Sequence, residues 1–207
     1  MDKGIWVTGS GQATGPRDEC VITVGSQARE PSAAAALAAS SESLEAMREV
    51  LLHAGLPPSA LATSAVSLNP VYDDFPTVAG FSAEVRLTAT TRDIAAVGQL
   101  LSAVVAAGGN AARVHEVSFR HGDASGLMAA ARAAAWADAR ARATQLAELA
   151  GRELGDVLAI DETVARPRPS GPMRVAAAAD SGVAGAMSLD AGEGGVVVTL
   201  TAGWSLR

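Results

Sequence analysis

The chain has 207 residues, 49% hydrophobic and 18% charged, with a net charge of −6. That is long enough to bury a core, as a single domain over 1–207 or as two intimately packed lobes, and too apolar for a disordered chain. The acidic balance, with Lys3 as the sole lysine and the arginines scattered, lacks the basic footprint that nucleic acid requires, so no nucleic-acid partner is expected.

Residues 4–10 and 18–29 read as strands, with Cys20, Ile22 and Val24 sharing one face of the second; Gly9 to Pro16 between them reads as turn chemistry. Pro31 suits the first turn of a helix. Ala33, Leu37, Ser40, Leu44, Met47, Leu51 and Ala54 recur at helical spacing as its inward stripe, and Gly55 ends it. Strands follow at 64–72 and 79–90, joined through an exposed loop at 73–77. In the second, Phe81, Ala83, Val85, Leu87 and Ala89 alternate with polar residues, the mark of a strand with one wet face.

A second helix is predicted over 93–107, with Ile94, Val97, Leu101, Val104 and Val105 inward, then a strand over 111–121. The third helix, about 124–151, starts at Asp123 or Ser125 as N-cap and turns inward a stripe of Met128, Ala131, Ala135, Ala139, Ala143, Leu146 and Ala150. Asp138 and Arg142 stand at i and i+4 in the favourable order. A strand at 154–164 precedes a Pro-, Ala- and Gly-rich insertion at about 165–192, expected to be flexible. The chain closes on a strand at 195–206, with Val196, Val198, Leu200, Ala202, Trp204 and Leu206 on one face. The order β-α-β-β-α-β, with a further long helix and terminal strands, predicts an α+β fold with largely antiparallel sheet backed by helices.

This order resembles the bacterial SIMPL-domain family, of unknown function, which includes periplasmic immunogenic proteins. The runs that carry the resemblance are Val7-Thr8-Gly9-Ser10-Gly11, Tyr72-Asp73 with Gly80-Phe81, and Ala137-Asp138-Ala139-Arg140-Ala141-Arg142-Ala143 through Leu146-Ala147. Gly151, Leu154-Gly155 and the closing Val196-Val197-Val198-Thr199-Leu200 also fit. The resemblance covers nearly the whole chain except 165–192. It implies a non-enzymatic envelope- or stress-associated protein, some of whose relatives form ring- or channel-like homo-oligomers, and it supplies no catalytic residues and no cofactor.

The residues themselves offer no catalytic constellation. Gly9, Gly11 and Gly15 miss the dinucleotide fingerprint, because Thr14 stands where its third glycine belongs and a strand follows instead of a helix. His115 and His121 are six residues apart on one strand, roughly 20 Å at about 3.3 Å per residue, too far to share an ion. His53 reads as a partner for a helix C-terminus. Cys20, the only cysteine, cannot form an internal disulfide and reads as inert packing. Asp73-Asp74 and Asp161-Glu162 read as solvated charge.

Trp136 lies between Arg132 and Arg140 at four-residue spacing. These three form a candidate interface, with ordinary packing of Trp136 as the alternative. Pro167, Arg168 and Pro169 form a candidate recognition arm with the extended backbone that suits groove binding. No export signal opens the chain, so as written it reads as cytoplasmic, although a chain trimmed of such a signal would look the same. No apolar run nears the roughly 18 residues that cross a bilayer. The expectation is a non-enzymatic, homo-oligomeric scaffold or binding protein with an unidentified protein partner. The alternative is a small-molecule-binding protein or hydrolase with a pocket between sheet and helices.

Overall fold

Alternation of apolar and polar residues, interrupted by three helical stretches of 21, 12 and 25 residues, produces this order of elements: β1 (Gly4–Pro16), β2 (Glu19–Glu30), α1 (Ala33–His53), β3 (Leu61–Tyr72), β4 (Val78–Thr91), α2 (Val97–Gly108), β5 (Ala112–Arg120), α3 (Ser125–Leu149), β6 (Leu154–Val164) and β7 (Glu193–Leu206). They are seen in a computed structural model that describes residues 4–73, 75–164 and 189–207. The α+β expectation holds, with two antiparallel sheets and three α-helices among the described residues. The chain divides into two compact units, one centred on Arg17–Arg120 and the other gathering the two ends of the chain with the residues from His121 onward.

In the Arg17–Arg120 unit the strands lie in the order β3-β4-β2-β5, every neighbour antiparallel. This is the split, ferredoxin-like arrangement of a β-α-β-β-α-β chain. Cys20, Ile22 and Val24 on β2 and Ala83, Val85, Leu87 and Ala89 on β4 point to the helices and are buried. All of these except Ala83 meet Met47 and Leu51 of α1 and Val97, Leu101 and Val104 of α2 in one cluster. Ser32, not Pro31, begins α1: its Oγ accepts from the Ala35 N–H at 3.2 Å, and proline stands just outside the helix. The buried stripe is Ala36, Ser40, Leu44, Met47 and Leu51. Ala33 and Leu37, predicted inward, lie off it, because Ser40 donates to the Ser26 carbonyl at 2.6 Å and so fixes which side of the helix lies on β2. On α2, Leu100 is buried where Val105 was expected.

In the terminal unit the sheet order is β1-β7-β6, again antiparallel, with α3 lying on one face. Here the sequence reading of Gly9–Pro16 as a turn is corrected. The ladder between β1 and β7 runs without a break from Gly4 opposite Ser205 to Pro16 opposite Glu193. Gly9 and Gly11 stand in β1 because α3 comes too close at those positions for any side chain. A Cβ on Gly9 would lie 2.5 Å from the Ala139 nitrogen, and one on Gly11 would overlap the Ala131 carbonyl oxygen. The helix answers with alanines: Ala131, Ala135, Ala139, Ala143 and Ala147 are buried at strict four-residue spacing. Leu146, placed in that stripe by the sequence reading, is exposed and Ala147 takes its place, because this contact has room only for methyl groups. Asp123 Oδ1 accepts from the Ser125 N–H at 2.8 Å at the start of α3, and Gly151, at φ +66°, stops it.

Candidate functional site

Four-residue spacing sets Arg132, Trp136, Arg140 and Thr144 in one row along α3. The structure gives each a different task. Arg132 grips Glu162 of β6 with two hydrogen bonds, Nε to Oε2 at 2.7 Å and the second guanidinium nitrogen to Oε1 at 2.9 Å. That grip holds the Glu162 carboxyl below its ordinary range and raises the guanidinium. Trp136 lies against Trp204 of β7, ring centroids 5.5 Å apart and planes tilted by 37°, and Trp204 is only 2% exposed. Arg132 and Trp136 therefore meet β6 and β7, respectively, within their own unit.

A groove of about 410 Å³ opens beside the tryptophan pair. Trp136, Arg140 and Thr144 form its helix side, and residues 154–157 of β6 with Trp204 form its sheet side. The β6 register shifts between Leu154 and Val157, so the strand bulges at the groove. Within the bulge the Asp156 N–H donates to Ser205 Oγ at 2.9 Å, and its carboxylate takes two hydrogen bonds from Arg207 at 2.8 and 2.9 Å. Arg140 has no carboxylate partner among the described residues. The bulge and the Trp204 stack were not visible in the spacing that singled out Arg132, Trp136 and Arg140.

On another side of α3, Asp138 and Arg142 form the expected i,i+4 pair at 3.0 Å, but they do more. Asp138 Oδ2 accepts from the Ser10 N–H at 2.9 Å, and Arg142 reaches the Thr8 carbonyl at 3.4 Å. Both groups lie on the edge of β1 away from β7. An ion pair so placed satisfies and blunts a strand edge that would otherwise invite pairing.

On the sheet of the Arg17–Arg120 unit, Glu84 Oε1 accepts from Arg86 Nε at 2.7 Å and lies 2.9 Å from His115 Nε2. The Arg86 hydrogen bond, aided by the charges of Arg86, His115 and Arg113, holds Glu84 below the ordinary carboxylate range against burial, which pushes it up. Gly25 makes room for this cluster, since a Cβ there would lie 2.9 Å from His115 Nε2. His53 and His121 are each tied to a carbonyl, of Glu49 at 2.7 Å and Pro16 at 3.0 Å. A second groove, about 610 Å³, lies between the α1–β3 connection and the end of β4; Glu19 on its wall is held by Arg120 at 2.5 Å. No group of three His, Cys, Asp or Glu placed to hold a metal ion occurs among the described residues. The candidate arm Pro167, Arg168 and Pro169, like most of the 165–192 insertion, lies outside them.

Cys20 is fully buried on β2, and burial pushes its thiol up to about 11. The native thiol should therefore resist an aromatic disulfide reagent at pH 8 and react at once when the chain is unfolded in urea. Because the folded value lies above the unfolded one, the stability this neutral thiol contributes is complete below about pH 9 and is lost as pH rises toward about 11. Rapid native labelling at pH 8 would contradict the burial.

Comparison with known proteins adds to this geometry. A family model, SIMPL, described as a protein of unknown function (DUF541), matches residues 5–204. The chain is 31% identical over 180 residues to the 26 kDa periplasmic immunogenic protein of Brucella melitensis biotype 1, covering 83% of this chain and 70% of that protein. The protein of the same name from Brucella abortus matches equally, with the same identity and coverage. Among solved structures, the crystal structure of an unknown protein from Galdieria sulphuraria aligns over 93% of this chain and 82% of its own, at 10% identity and a TM-score of 0.23. No described helix is long and apolar enough to cross a membrane. The cytoplasmic location read from the start of the chain gains no support from relatives named as periplasmic.

Proposed function

The chain belongs to the SIMPL family, and from that premise we propose that it is a non-enzymatic, self-assembling scaffold or binding protein, envelope- or stress-associated, whose assembly partner is a second copy of itself. The observation that carries this reading is the outer edge of β3. This strand runs from Leu61 to Tyr72 at the margin of its sheet, and nearly all its residues are exposed. Val66 and Leu68 stand opposite Val85 and Ala83, on the helix-bearing side, yet remain 60% and 44% exposed. The hairpin then ends in Tyr72 and Phe75, rings 5.5 Å apart, with Phe75 84% exposed. A long edge with apolar side chains and an aromatic tip is a template for another strand unless something covers it. The contrast with β1, whose edge Asp138 and Arg142 blunt, favours β3 as the docking edge. The periplasmic naming of both relatives favours an envelope location.

Light scattering coupled to size-exclusion chromatography tests the proposal. The expected mass is a multiple of 20.8 kDa, falling toward 20.8 kDa for Leu68→Lys, since a lysine on an edge strand opposes pairing. A wild-type monomer at all concentrations up to about 1 mM would overturn self-assembly. An oligomer unmoved by Leu68→Lys would remove β3 as its contact.

A further inference from the structure

We infer that the groove between α3 and β6 is a binding site for a small organic monocarboxylate with a flat apolar body, held by Arg140 and seated against Trp136. The groove has a ring to receive such a body: Trp136 is partly exposed and is backed by the buried Trp204 at 5.5 Å. It also has a cation to receive the charge. Arg132, Arg142 and Arg207 each hold a carboxylate of this chain, Glu162, Asp138 and Asp156, whereas Arg140 lines the groove with no such partner among the described residues.

A guanidinium presents two parallel N–H groups that match a carboxylate, and it lies well over aromatic or apolar surface. Thr144, one turn further on, spends its hydroxyl proton on the Arg140 carbonyl at 3.0 Å, so the charged donor on the helix side of the groove is the Arg140 guanidinium. The volume, about 410 Å³, is in the range of small-molecule sites.

Charge sets the class of ligand. Asp156 lies on the facing wall; Arg207 holds it, but its negative charge is only partly offset there, since both side chains are largely exposed. One guanidinium opposite a carboxylate suits a single negative charge better than the two of a phosphate monoester, which would repel Asp156 in a chain already at −6. The bulge at 154–157 forms the sheet wall against which the ligand body would lie.

Isothermal titration of the full chain with naphthoate, and separately with the uncharged naphthamide, tests the site. Naphthoate should bind in the sub-millimolar range and at least about tenfold more tightly than the amide. Arg140→Gln, on an exposed helix position, should remove that advantage of about tenfold while leaving amide binding as it was. Trp136→Leu should weaken both probes. The inference is overturned if naphthoate fails to bind the wild-type chain at about 5 mM, or if Arg140→Gln binds it as the wild type does.

Discussion

Gly11→Ala is expected to lower stability by about 3 kcal/mol or more, an unusually large effect for one added methyl group. The methyl would land on the Ala131 carbonyl oxygen and the Ala135 nitrogen, and 2.8 Å from the Ala134 carbonyl carbon. All three are backbone atoms of α3, so no rotamer change can relieve the overlap. The helix must lift from β1, and it is held there by an unbroken row of buried alanines that make contact only at close range. For a chain of this size such a loss lowers the melting temperature by roughly 6–12 °C. Gly126→Ala is the control. It lies in the first turn of the same helix with nothing near its Cβ, and alanine there should be neutral or stabilise by up to about 1 kcal/mol. Equal melting of the two variants by circular dichroism would show that helix and strand are not in backbone contact.

Trp204→Ala should cost about 3–5 kcal/mol, the range for deleting a buried aromatic side chain. Trp204 is the largest fully buried side chain among the described residues and packs with Val7, Ala139 and Ala143 in the cluster of the terminal unit. Its removal leaves a cavity that alanines cannot collapse to fill, and it strips Trp136 of its stacked partner. A shift in the urea midpoint equivalent to less than about 1 kcal/mol would mean that Trp204 is not a core residue. Trp136→Ala should cost less, because that ring is only partly buried.

The two effects share a cause that is plain in one part of the chain and hidden in another. The Ala-rich α3 announces close packing, since methyl groups fill little space, and the structure places that packing on Gly9 and Gly11. The same glycines, read locally, suggest a turn. Turn propensity and close approach demand the same residue, and nothing near position 11 in the chain distinguishes them; the helix that does so begins more than a hundred residues later. The resemblance to SIMPL proteins located Asp138, Arg140 and Arg142 within a family run without saying what they do. In space the run divides its labour: Ala139 faces Gly9, Ala143 is buried in the same row, Asp138 and Arg142 close the β1 edge, and Arg140 lines the groove.

Local pattern alone determines the element order, the α+β class, the strand alternation of β4 and β7 and the glycine that ends each long helix, because side-chain periodicity and backbone sterics act over a few residues. Tertiary structure decided the rest: that 9–16 is strand, which helical face is buried, that Trp136 meets Trp204, and that β1 has a blunted edge while β3 does not. Each of these depends on a partner far away in sequence. A contact free energy belongs to the pair, and neither residue carries a trace of it alone.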